Sequence, residues 1–128
     1  MHGIIETGGF LRDAERAGIS EGARAAIVDL IAWNPMLGDV MPGTGGARKL
    51  RIPGRGKGKS GGYRVVTYYA GQDVPILMLG VIDKGKRADL SQAEKNELRQ
   101  ELLGYAKDYR ASVGRTAALM AIKGDKND

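Results

Sequence analysis

The sequence predicts a small α/β domain of the α+β kind, with two helices, then a run of strands, then a longer helix. Three observations predict it. Two apolar patterns of helical spacing, each opened by a capping residue, occupy positions 7–35. A block rich in β-branched and aromatic residues, broken by glycine turns, occupies positions 47–82. A capping box with an apolar stripe at i, i+4, i+7 follows it. At 128 residues the chain suffices for one domain with a modest core.

Each element has a local reason. Gly3-Ile4-Ile5-Glu6 reads as an edge strand. Thr7 caps a helix in which Phe10, Leu11, Ala14 and Ala17 keep helical spacing, and Gly18 ends it. Ser20 caps a second helix, with Ala23, Ile27, Leu30 and Ile31 on one face. Asn34-Pro35 stops that helix, because the residue before a proline disfavours helical dihedrals. The two helices read as a hairpin covering one face of the domain, and Phe10 and Trp33 are expected to pack. Ala47 to Ile52 reads as a short strand and Tyr63 to Tyr69 as the strongest one. Val74 to Ile82 is apolar enough to be buried on both faces, hence central. Ser91 and Glu94 form the capping box of a helix carrying Leu98, Leu102, Tyr105 and Tyr109. Residues 1–110 are read as the domain, and 111–128 as an extension, partly helical or disordered.

Charge is distributed unevenly. The net charge is +5, from 20 Lys/Arg and 15 Asp/Glu. No acid occurs between Asp39 and Asp73, an interval holding Arg48, Lys49, Arg51, Arg55, Lys57, Lys59 and Arg64. Like charges at that density repel one another, and a bound polyanion relieves the repulsion. Lys84, Lys86 and Arg87 form a second basic loop after the central strand.

Counting excludes several chemistries. With no cysteine the chain has no thiolate nucleophile, and its single histidine cannot build a multi-His zinc site; that histidine, His2, lies in a terminal segment and is not expected to serve a Ser-His-Asp triad. No metal and no cofactor is expected. Gly58-Lys59-Ser60 is not a phosphate loop, since Pro53 stands where that motif needs glycine and a strand follows where it needs a helix. No apolar run is long enough to span a bilayer and the N-terminus has no secretory pattern, so the expected location is cytoplasmic.

Gly43-Thr44-Gly45-Gly46-Ala47-Arg48-Lys49-Leu50-Arg51, then Gly54-Arg55-Gly56-Lys57-Gly58-Lys59-Ser60-Gly61-Gly62-Tyr63-Arg64-Val65-Val66-Thr67-Tyr68-Tyr69, resembles the RelE/HigB toxins of bacterial type II toxin–antitoxin systems. Lys84-Gly85-Lys86-Arg87-Ala88-Asp89-Leu90-Ser91 resembles the end of that pattern, and the likeness spans about residues 3–110. It implies two N-terminal helices packed on a mostly antiparallel sheet, followed by a C-terminal helix. It also implies a ribosome-dependent mRNA endonuclease that uses the RNA's own 2′-hydroxyl as nucleophile.

In such a reaction a base removes the 2′ proton, cations stabilise the charge growing on phosphorus, and an acid protonates the leaving 5′ oxygen. By resemblance, Arg64 contacts the scissile phosphate, Lys57 or Lys59 is the general base, and Lys84 or Arg87 serves the acid side. Arg48, Lys49, Arg51, Arg55, Lys86 and Tyr68 are the candidate RNA contacts; alternation along the strand puts Tyr68 on the Arg64 face, with Tyr63 and Tyr69 on the other. Relatively weak catalysis suits a ribosome that holds mRNA in attack geometry. The implied partners are the ribosome, mRNA and a cognate HigA-like antitoxin, whose DNA-binding part carries the pair to promoter DNA. The rival readings are a toxin of the same fold acting on DNA gyrase, as ParE does, and a non-catalytic nucleic-acid-binding module.

Overall fold

Five strands build one mixed sheet: β1 (Ile4–Glu6), β2 (Asp39–Val40), β3 (Arg48–Ile52), β4 (Tyr63–Tyr68) and β5 (Ile76–Asp83), in the order β1-β5-β4-β3-β2. The helices are α1 (Gly8–Arg16), α2 (Glu21–Trp33) and α3 (Gln92–Asn127). This computed structural model describes residues 1–53 and 62–127, with side chains through residue 121. Only β1 runs parallel to its neighbour, β5; the pairings β2–β3, β3–β4 and β4–β5 are antiparallel. The class is α+β, as expected, and the short β2 is an addition that no sequence pattern marked.

Thr7 performs two duties where β1 turns into α1. Its hydroxyl oxygen accepts from the Phe10 N–H at 3.2 Å, capping the helix, and its own O–H donates to the Met78 carbonyl at 2.8 Å. The cap therefore ties α1 to β5. Gly18, at φ 74°, ends α1 in the left-handed conformation that glycine adopts without penalty. Ser20 caps α2 by accepting from the Ala23 N–H at 3.1 Å. Ile27, Ile31 and Ala32 are the buried face of α2. Ala23 and Leu30 were expected among them and are exposed, because both lie on the side of Ile27 away from Ile31 and Ala32 round the helix. Trp33 departs further from its expected packing role: it sits at the last residue of α2 and is 65% exposed.

Each face of the sheet has its own core. Val65, Ile76, Met78 and Val81 pack with Phe10, Ala14, Ile27 and Ile31 beneath α1 and α2. Val66, Leu77 and Ile82 pack with Met41, Ala47 and Leu102 beneath α3. Strict alternation would put Met78 and Val81 on opposite faces. The register explains why they share one: Val66 pairs with Gly80 and Thr67 with Met78, so Leu79 is an extra residue, a bulge that shifts the phase of β5.

The glycine-rich stretch before β3 is held by a buried hydroxyl. Thr44 Oγ1 donates to the Met41 carbonyl at 2.7 Å and accepts from the Ala47 N–H at 3.1 Å. Gly38 is required for steric reasons. Its φ is +92°, and an added Cβ would stand 2.6 Å from the Lys49 carbonyl oxygen. Gly38→Ala is expected to cost about 1–3 kcal/mol, from left-handed strain plus displaced β3 backbone; a urea midpoint unchanged from the wild type would refute it.

The capping box of α3 forms as read from sequence: the Glu94 N–H donates to Ser91 Oγ at 3.1 Å, and the Ser91 N–H donates to Glu94 Oε1 at 2.9 Å. Further along, the Tyr105 hydroxyl donates to the Pro75 carbonyl at 2.9 Å, and Arg110 grips Asp73 with two hydrogen bonds of 2.6 and 2.8 Å. The backbone of the extension is helical through Gly114 to Asn127, and residues 111–121 are exposed. Among the described residues no helix is long and apolar enough to cross a membrane.

Candidate nucleic-acid interface

Strand register decides which cations meet. Arg51 and Arg64 are direct cross-strand partners on β3 and β4, so their side chains leave the same face side by side. Lys49 pairs with Val66 and lies on that face too, which is the face α3 covers. Ile52, Tyr63 and Asp83 align across the three central strands, so the ends of the 53–62 connection emerge beside the turn after β5. The Lys84 N–H donates to the Gly62 carbonyl at 3.2 Å, fixing that adjacency. Arg51, Arg64, Lys84 and Lys86 thus belong to one end of the sheet. Arg55, Lys57 and Lys59 lie outside the described residues.

Other candidates are placed elsewhere. Arg48 pairs with Thr67 and projects to the opposite face, where its Nη1 donates to the Met36 and Gly38 carbonyls at 3.0 and 3.1 Å. It pins the turn before β2, away from Arg64. Tyr68 does share the Arg64 face, as alternation predicts, but four residues along a strand is about 13 Å. Its ring packs against the second core and meets Tyr105 edge-on at 6.3 Å. Tyr63 uses its hydroxyl to donate to the Ala17 carbonyl at 3.0 Å, joining β4 to the end of α1.

Two cations already face carboxylates. Lys49 lies 3.6 Å from Asp89, which also meets Lys95 at 3.4 Å. Partial burial opposes ionisation of Asp89, yet the Leu90 N–H and the two lysines together hold its carboxyl below the ordinary range. Arg87 Nη1 donates to Glu94 Oε1 at 2.6 Å, and that bond raises the guanidinium's already high pKa. Glu94 is lowered from 4.5 to about 2, first by the Arg87 hydrogen bond and then by the Ser91 N–H.

A folded value below the ordinary one stabilises the ionised fold. The contribution of Glu94 is therefore complete above pH 4.5 and fades as the pH falls toward about 2. Half-exposure of both partners keeps it small. Glu94→Gln is expected to flatten the fall in melting temperature over that window; an unchanged slope would count against the linkage.

A cleft of about 380 Å³ opens between α1 and α3 over the second half of β5, with Arg87 in its wall. Asp13, Glu94, Glu97 and Glu101 line it as well; the sequence reading gave Glu94 a capping role only and the other three acids none. Their signal was present: Glu94, Glu97 and Glu101 recur at i, i+3, i+7 beside the apolar Leu98–Leu102 stripe, which places them on the rim of a packed helix. No family model matches the sequence.

Proposed function

We propose that the chain is an RNA-cleaving toxin of the RelE/HigB kind, acting on mRNA that is being translated. The observation that carries this reading is the Arg51–Arg64 row. Like charges directly opposite one another on a sheet are destabilising. Two guanidiniums side by side on one face present their forks at a spacing at which both can grip one phosphodiester. The basic turn at the same end of the sheet adds Lys84 and Lys86 to the field.

In this reaction the RNA 2′-oxygen attacks phosphorus as its proton passes to a base, the lysine of the 53–62 connection, Lys57 or Lys59. The bond from phosphorus to the 5′ oxygen breaks, leaving a cyclic phosphate, and Lys84 supplies the proton to the departing oxygen. Arg64 and Arg51 hold the phosphoryl oxygens, whose negative charge grows in the transition state. Arg87, closed onto Glu94, stands back from this step. The ribosome contributes the geometry, and a cognate antitoxin restrains the toxin in the cytoplasm.

Induced expression of the wild type and Arg64→Ala tests the proposal. Growth arrest with breaks in translated transcripts, and little cleavage of the same RNA free in solution, is the expected wild-type result. Equal cleavage of free and translated RNA would defeat it. Undiminished toxicity of Arg64→Ala would favour an inhibitor acting through a protein surface, such as one directed at gyrase.

A further inference from the structure

We propose that the cleft between α1 and α3 takes an extended basic segment of a partner protein, laid along the unpaired edge of β5 with its cations against Glu97 and Glu101. Neither Arg51 nor Arg64 lines this cleft, and the proposal does not depend on the nuclease reading.

The sheet edge comes first. β1 pairs only with Ile76, Leu77 and Met78, whereas β5 continues to Asp83. Among the described residues no strand lies beside the remaining half of β5 on that side. Such an edge offers main-chain groups at strand spacing, which is how sheets accept an added segment. One of these groups is already answered in the way a neighbouring strand would answer it: the Val81 N–H donates to the Asp13 carboxylate at 3.0 Å. Gly80 permits this approach, because a Cβ there would stand 2.9 Å from the same oxygen. The Asp13 side chain thus holds the place of a strand carbonyl and can swing aside for a real one.

Charge then selects the occupant. The cleft carries four carboxylates, Asp13, Glu94, Glu97 and Glu101, against two guanidiniums, Arg16 and Arg87. Arg87 is matched to Glu94. Glu97 and Glu101 are one helical turn apart, exposed, and without a cationic partner among the described residues. A nucleic acid or an acidic segment would be repelled. An extended chain alternating basic and apolar residues would turn its cations toward α3 and its apolar set to the opposite face, where Ala17 and Val81 lie on the α1 side.

The test uses the full chain labelled with nitrogen-15 and three probes: blocked hexapeptides of alternating lysine and valine or alternating glutamate and valine, and an RNA hexamer. The lysine peptide is expected to shift the Val81, Ile82 and Asp83 amide resonances saturably, and to bind roughly fivefold more weakly to Glu97→Gln/Glu101→Gln. Both substituted side chains are exposed, so the variant keeps its fold. The proposal is overturned if the glutamate peptide or the RNA shifts the same resonances equally. It is also overturned if the double variant binds the lysine peptide undiminished, or if that peptide leaves the edge resonances in place at millimolar concentration. Concentration-dependent shifts there without peptide would assign the edge to a second copy of the chain, which also overturns it.

Discussion

Arg64→Ala is expected to lower cleavage of translated mRNA roughly 10²- to 10³-fold, the usual loss when one preorganised donor to a developing oxyanion is removed. Its melting temperature is expected to stay level or rise slightly, because the substitution removes a like-charge pair facing across β3 and β4. That opposition of signs separates a binding role from a structural one. A residue kept for the fold loses stability and activity together. Arg64→Lys is expected to fall between, since a point charge replaces a two-pronged grip. A melting temperature many degrees lower in Arg64→Ala, with activity lost in proportion, would refute the assignment.

The largest effect on stability is expected from Phe10→Ala. Phe10 is 1% exposed and sits where α1 meets Val65, Met78 and Val81. Truncating a buried aromatic ring costs about 3–5 kcal/mol, the lost transfer energy plus the cavity left behind. For a domain of this size that lowers the melting temperature by roughly 10–20 °C. The loss takes a large share of the total stability of an ordinary domain. Calorimetry on the two proteins measures it directly, and a shift under about 3 °C would mean the site collapses around the smaller side chain.

Where local chemistry decides structure, the sequence was readable. Thr7, Ser20 and the Ser91–Glu94 box each begin a helix with the bonds their side chains make possible. Gly18 and Asn34 end helices for equally local reasons. Alternation placed Tyr68 on the Arg64 face correctly. What could not be read depended on non-local pairing. The two-residue β2 is too short to leave a pattern. The bulge at Leu79 hid the phase of β5 within a continuous apolar run. Arg48 looked equivalent to Arg51, but the register turns it to the other face. Arg87 looked like another member of the basic set. Only the fold of α3 brings Glu94 to it, although the pair is seven residues apart.

The bond from Thr7 to Met78 spans 71 residues of chain. β3, β4 and β5, by contrast, are neighbours both in sequence and in the sheet. Contacts of short sequence separation close faster than distant ones. During synthesis, then, the first strand waits until more than half the chain has emerged, while the meander that carries Arg51 and Arg64 assembles from adjacent segments. The order of assembly puts the arginine row in place early and makes the N-terminal strand one of the last pieces to dock.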